Sequence, residues 1–383
     1  MHETWKSLLT LTRLHPHEGS ELTTRAHIIQ VVQIMWMLLT TFRVGFSCLL
    51  EDDGIEHLMG HTLLAFGMMG KLLSLTTGLA LFQCTLFRFT VYWLQLKRQM
   101  VFLTTLRNTG LAVRRFDERE DRLSLGRKVL KLAVLSCLIP LLATYVADVS
   151  LCIVNCYHSE TVVQLLCWIF WCIQDLLVLV QAVADMILVP CMWLLLVLRL
   201  RMDMCTLFQR LTDSLTRRSG KCNVEYVLEQ YLQLTALITE LGPFLTSILS
   251  VYAITSTPII CTFIYSLSYM DNVFFTFFVM MIALTLIIQE LVLLALASQI
   301  NSQSEHLYRL LCAFTSRDTS IMSIRERQAM LLLMEEMGSE ERLLSLRTLD
   351  GAKYTTETFV LFVLDTAVHY TLLATFGYFF KTP

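Results

Sequence analysis

Charge is scarce in this sequence. Only 16% of its 383 residues are Asp, Glu, Lys or Arg, against about a quarter in a soluble domain. So few charges cannot cover a soluble surface, and 55% of the chain is hydrophobic, with a mean hydropathy of +0.59. There are only six prolines, so long apolar stretches are seldom interrupted. The chain has no GxSxG, HExxH, P-loop or GxGxxG, so no motif argues for an enzyme, and no cofactor is implied. Its twelve cysteines include no CxxC pair and lie mostly in apolar runs, where Cys acts as a small apolar filler. Cys152 and Cys156 sit near an expected outer loop, the one place where a disulfide could form, though free thiols are the expectation there too. The first 27 residues are polar, hold Pro16 and charges of both signs, and have no apolar core. No cleavable signal peptide is therefore expected, and the first apolar helix must direct insertion.

What is present is length in the apolar runs. They fall at 28–50, 62–95, 129–154, 163–198, 236–268, 273–300 and 355–380, and about 20 residues suffice to cross a bilayer. Lys71 and Arg88 interrupt the second run. Arg88 is expected to snorkel towards the inner face, and Lys71 shifts the apolar core towards 72–94. Helix is the economical reading throughout, because every backbone group in lipid must bond within its own segment.

Basic residues set the orientation. Lys6, Arg13 and Arg25 precede the first run, and the next connection, EDDGIEH, has no Lys or Arg. The following one carries nine, from Lys97 to Lys128, and NCYHSET again has none. Arg199, Arg201, Arg210, Arg217, Arg218 and Lys221 come next, and SYMDN has none. The last connection carries seven, from Arg309 to Lys353. The alternation is unbroken. It predicts an all-α membrane protein with seven transmembrane helices, a cytoplasmic amino terminus and an extracellular carboxyl terminus. YLQLTALITELGPFL, SEHLYRLLCAF and IRERQAMLLLMEEM keep apolar residues at helical spacing with charges between, so helices should extend into a cytoplasmic bundle. The basic segments alternate with acids beside membrane helices. They read as topology determinants touching anionic lipid heads, not as a nucleic-acid surface.

This topology is opposite to that of a G-protein-coupled receptor, and no DRY follows the third run and no NPxxY lies in the seventh. The chain instead resembles the arthropod gustatory receptor family, within the insect gustatory and odorant chemoreceptor superfamily, as a divergent member. Three features carry the resemblance: the topology, the long basic segment before the last helix, and the carboxyl-terminal pattern. That pattern in the family is Thr-Tyr, five apolar residues, then Gln-Phe, after a Gly-x-Phe-like element. Here the stretch reads GAKYTTETFVLFVLDTAVHYTLLATFGYFF. Gly351 and Tyr354 match the upstream element and Tyr370 the signature tyrosine; His369 stands for the threonine, and Phe376 and Gly377 fall where Gln-Phe belongs.

The resemblance implies a ligand-gated cation channel built as a homo- or hetero-tetramer with related subunits in the plasma membrane, opened by a small-molecule tastant or odorant. It divides the chain into a cytoplasmic segment 1–27, a six-helix region 28–300 with the ligand pocket, a cytoplasmic anchor 301–353, and the pore-lining seventh helix with a short tail, 354–383. It also implies that Leu373 and Phe376 lie near the narrowest part of the pore, where an apolar ring can gate by dewetting. The pocket would lie in the outer halves of the third to sixth helices. Tyr145, Asp148, Trp168, Trp171, Gln174, Asp175, Tyr252, Thr255, Tyr265, Phe274 and Phe277 supply there the aromatic and polar mixture that small-molecule sites use. Trp and Tyr also form interface belts, and Phe also faces lipid.

Residue chemistry leaves other questions open. Asp365 and His369 are four apart and share a helix face; they either line a cation pathway or bond to each other between helices. Asp175 and Asp185 lie about 15 Å apart along one helix. They mark a water-filled cavity or proton relay, as in a carrier, or each pairs with a neighbour such as Lys71 or Arg43. Glu240 and Glu290 lie towards inner helix ends, where solvation or pairing is the default. His57 and His61 make an HxxxH pair without a third ligand, so no metal site is expected. A carrier lacks support, since the halves show no repeated helix pattern; a non-conducting receptor or scaffold is the third reading.

Epitope tags test the orientation. In intact, unpermeabilised cells a carboxyl-terminal tag should stain and an amino-terminal tag should stay hidden; the reverse pattern discards the assignment.

Overall fold

The structure, a computed structural model, describes residues 24–47, 67–97, 161–183, 189–216, 224–267, 273–315 and 356–381, with isolated positions between them. These residues form long helices and contain no strand. In chain order they are α1 (Thr24–Ser47), α2 (Gly67–Leu96), α3 (Val162–Val183), α4 (Val189–Thr216), α5 (Val224–Ser266), α6 (Val273–Thr315) and α7 (Thr356–Lys381). The apolar run at 129–154 lies outside this set apart from isolated positions. The run at 163–198 is divided between α3 and α4.

A π-type turn between α3 and α4 has a local cause. Pro190 is the second residue of α4, a first-turn position where its missing N–H costs nothing. The same missing N–H cannot bond back to the carbonyl of Met186, and Asp185 and Met186 adopt a wider, π-type turn. The start of α3 is also written in sequence. Gln164 N–H donates to Thr161 Oγ1 at 3.3 Å, and Thr161 N–H donates to Gln164 Oε1 at 3.2 Å, a reciprocal capping box.

Among the described residues, four stretches are long and apolar enough to cross a membrane: His27–Phe46, Gly70–Leu96, Val162–Ala182 and Glu229–Ser266. Their outward faces fit lipid. Ile28, Val32, Met35, Leu39, Phe42 and Phe46 are exposed along α1, at alternating spacings of four and three that keep them on one face. Polar groups turn inward instead: Gln30, Thr40, Arg43, Gln83, Arg88 and Gln174 are buried. Hydroxyls within the apolar helices donate to carbonyls four residues back, as Thr76 does to Leu72 at 2.7 Å and Thr262 to Pro258 at 2.7 Å, which satisfies them without water.

Helix α5 is the centre of the arrangement and packs against α2, α4, α6 and α7. At 43 residues it is about 65 Å long, roughly twice the hydrocarbon thickness. Its polar half, with the carboxyl half of α6 and with α4, encloses a core that includes Trp193, Leu200, Tyr231, Leu241, Ile300 and Leu307. Trp193 Nε1–H donates to the Leu245 carbonyl at 2.8 Å, the partner a buried indole requires. Helices α4, α5 and α6 thus continue into one packed core, and α6 runs unbroken across the boundary expected at residue 300.

α1 and α2 cross where both are glycine. A Cβ on Gly78 would lie 3.4 Å from both Cα and N of Gly45, and such small pairs let membrane helices approach closely. Gly78→Ala should be tolerated, whereas Gly78→Leu should cost about 1–3 kcal/mol of packing. The thermal midpoint of detergent-purified protein reads the difference; equal midpoints for the two variants would refute the close crossing.

Candidate functional site

Two ion pairs, one fully buried and one with a partly exposed carboxylate, tie α1 and α2 to the α3–α4 segment. Trp171, Gln174 and Asp175 share one face of α3, at spacings of three and four, and Thr40 and Arg43 share one face of α1. Arg43, 7% exposed, pairs with the Asp175 carboxylate, and its guanidinium carbon lies 4.3 Å from the Trp171 ring centroid. Gln174 Nε2–H donates to Thr40 Oγ1 at 2.7 Å. The second pair is Arg88 of α2 with Asp185, Nε to Oδ2 3.6 Å; Gln181 Nε2–H also donates to that carboxylate oxygen at 3.2 Å. Both members are nearly fully buried. The snorkelling expected of Arg88 is therefore corrected: a buried carboxylate within reach holds the guanidinium inside. Of the partners expected for the two aspartates, Arg43 holds Asp175, and Arg88, not named for that role, holds Asp185.

The other expected site residues fall in several places. Trp168 is buried on the same face of α3 as Trp171 and Asp175. Tyr252 is buried in α5 with its ring centroid 5.7 Å from that of Phe87 on α2. Thr255 is buried and donates to the Val251 carbonyl at 2.6 Å, and Tyr265 is buried near the end of α5. Phe277 of α6 is exposed. Tyr145, Asp148, Gly351 and Tyr354 lie outside the described residues. The α3 group thus faces α1, and Tyr252 faces α2.

Helix α7 lies against α5 and α6, where Cys261 Sγ comes within 3.5 Å of the Thr366 carbonyl. Its Asp365 and His369 side chains are 58% and 50% exposed, with His369 Nδ1 3.3 Å from Asp365 Oδ1. The two touch, as one of the open readings had it, but on the surface of the single chain. Tyr370 is half-buried, and Leu373 and Phe376 fall on the same helix.

Glu290 is where sequence reasoning fell short. Expected to be a solvated or paired helix-end acid, it is 1% exposed on α6. The Ser256 hydroxyl lies near its carboxyl yet donates to the Tyr252 carbonyl at 2.8 Å, and neither carboxyl oxygen has a hydrogen-bond partner among the described residues. The available signal was the spacing Glu290, Leu293, Leu294, Ala297, which puts Glu290 at the head of the buried stripe of α6.

No protein-family model matches this sequence, and no curated protein matches it. Solved structures do. The insect olfactory receptor OR5 from Machilis hrabei in complex with eugenol superposes with a TM-score of 0.62 at 12% identity, covering 97% of this chain and 98% of that one. A second structure of the same receptor gives the same TM-score and identity over 97% of each chain. This chain has the insect olfactory receptor fold. The resemblance to insect chemoreceptors read from topology and the terminal pattern is thereby met in three dimensions. An olfactory receptor fold kept at 12% identity is a matter of where apolar faces and helix ends fall, because hydrocarbon accepts many side chains in the same place.

The Arg43–Asp175 pair has a measurable cost of breakage. Asp175→Ala leaves a buried guanidinium uncompensated and should lower stability by about 3–5 kcal/mol, while the apolar double substitution R43M/D175L should recover most of it. Thermal midpoints in detergent report both; a destabilised double variant would mean that the pair is not the interaction that matters.

Proposed function

We propose that this chain is a chemosensory receptor of the insect gustatory and olfactory kind, a ligand-gated cation channel of the plasma membrane. The observation that carries the reading is agreement in fold with an olfactory receptor over nearly the full length of both chains. That receptor was solved with eugenol, and a small tastant or odorant is the corresponding ligand class here. The chain crosses the bilayer seven times, amino terminus inside and carboxyl terminus outside. The ligand lies in the outer halves of the third to sixth membrane helices, among Trp168, Trp171, Gln174 and Asp175 of α3, Tyr252, Thr255 and Tyr265 of α5, Phe277 of α6, and Tyr145 and Asp148.

Helix α7 lines the pore in this reading, with Asp365, His369, Leu373 and Phe376 towards the axis of a tetramer. Support comes from the exposure of Asp365 and His369 in the middle of a largely apolar helix. A carboxylate cannot rest against hydrocarbon without a cost of several kcal/mol, so this face belongs on water between copies of the chain, where a ring of acids favours cations. Ligand opens the pore by binding the open arrangement more tightly than the closed one. The carrier alternative draws less support, because Asp175 and Asp185 are engaged by Arg43 and Arg88.

Leu373→Ser should raise the basal current in whole-cell recordings at matched surface expression. A shift of at least about tenfold in the open–closed ratio corresponds to about 1.4 kcal/mol. Wild-type currents left unaltered would remove Leu373 from the pore.

A further inference from the structure

The His369 ring is held in one orientation and one tautomer. Its Nδ1 lies 2.9 Å from the Asp365 main-chain carbonyl oxygen, and a carbonyl can only accept. Nδ1 therefore carries the hydrogen, with the Asp365 carboxylate 3.3 Å away beside it. That leaves the lone pair of the neutral ring on Nε2, on the side of the imidazole away from Asp365. A histidine whose one ring nitrogen donates to a carbonyl or carboxylate while the other is left as acceptor is the form in which proteins present imidazole to a metal. One chain offers too few ligands: the described residues contain no group of three His, Cys, Asp or Glu that could hold a metal ion. The half-exposed position of the pair on α7 leaves room for further ligands from outside the chain.

We propose that, where copies of this chain assemble around α7, their His369 imidazoles converge to bind a divalent transition-metal ion such as Zn²⁺, each ring held by Asp365 of its own chain. The inference rests on the reading of α7 as the helix around the shared axis. Rotational symmetry places identical residues at one depth, so each copy adds one Nε2 to the same ring. Imidazole selects Zn²⁺, Ni²⁺ and Cu²⁺, whereas Mg²⁺ and Ca²⁺ prefer oxygen ligands. Asp365 acts here as a positioning residue. A metal ion held on the axis obstructs it.

The test is a titration of extracellular ZnCl2 against the basal current of the full chain, with MgCl2 as control. Zn²⁺ should block the wild type and EDTA should restore the current, while MgCl2 at the same concentration should not block. The block should be lost in both His369→Ala and His369→Gln at matched surface expression. Asp365→Asn, which keeps the ligand but loosens its orientation, should raise the half-blocking concentration by about 10–100-fold. A wild-type current indifferent to Zn²⁺, or a block that survives both His369 substitutions, overturns the site and leaves the channel reading standing. If the wild type passes no current, the channel reading falls. Calorimetry of Zn²⁺ binding to the detergent-purified assembly then decides the site: binding lost in His369→Gln supports it, and no binding, or binding unchanged in that variant, overturns it.

Discussion

A charge inside a bilayer has to find its partner within the protein, and this chain is arranged around two such partnerships. Arg43 of α1 meets Asp175 of α3, and Arg88 of α2 meets Asp185 in the turn after α3. Neither arginine has water or headgroup to fall back on, since both are nearly fully buried. An ion taken from water into such surroundings loses several kcal/mol of solvation. Geometry must supply the compensation, which fixes how α1 and α2 stand against the α3–α4 segment. Around these contacts the helices can be almost uniformly apolar on their outer faces, and they are.

The rest of the molecule hangs on α5. It touches α2, α4, α6 and α7, so the charged interior beside α2 and the helix that carries the exposed acid–imidazole pair both border on one helix. Its two prolines, Pro243 and Pro258, each remove a ladder hydrogen bond. Such losses are tolerated in a membrane helix when neighbours and hydroxyls satisfy the freed groups.

Much of this was legible in the sequence. Apolar runs, basic connections and the amphipathic stretches YLQLTALITELGPFL and SEHLYRLLCAF anticipated long helices that continue into a packed bundle, and the terminal pattern anticipated the chemoreceptor fold. What was not legible depends on pairing between helices. Spacing shows that Asp175 and Asp185 lie on one run, but only packing decides which arginine each meets. Arg88 looked free to snorkel because its partner is about a hundred residues away in sequence. Glu290 looked like a solvated end because hydropathy records composition, not which face a neighbouring helix covers. The π-type turn at Asp185 and Met186 was readable in principle from Pro190, whose missing N–H cannot bond to the Met186 carbonyl, yet the run around it stays apolar and does not mark it.

Helix α6 is one unbroken helix of 43 residues with no internal proline. A helix of that length is about 65 Å of stiff rod, and tilting it by about 5° about one end carries the other end roughly 6 Å sideways. Phe277 and the residues of the far bundle, Leu307 and Tyr308 among them, are therefore mechanically one body. A displacement near the first turns of α6 that exceeds what gentle curvature takes up is carried along the helix. It has to be answered either by repacking against α5 or by movement of the distant bundle as a lever arm.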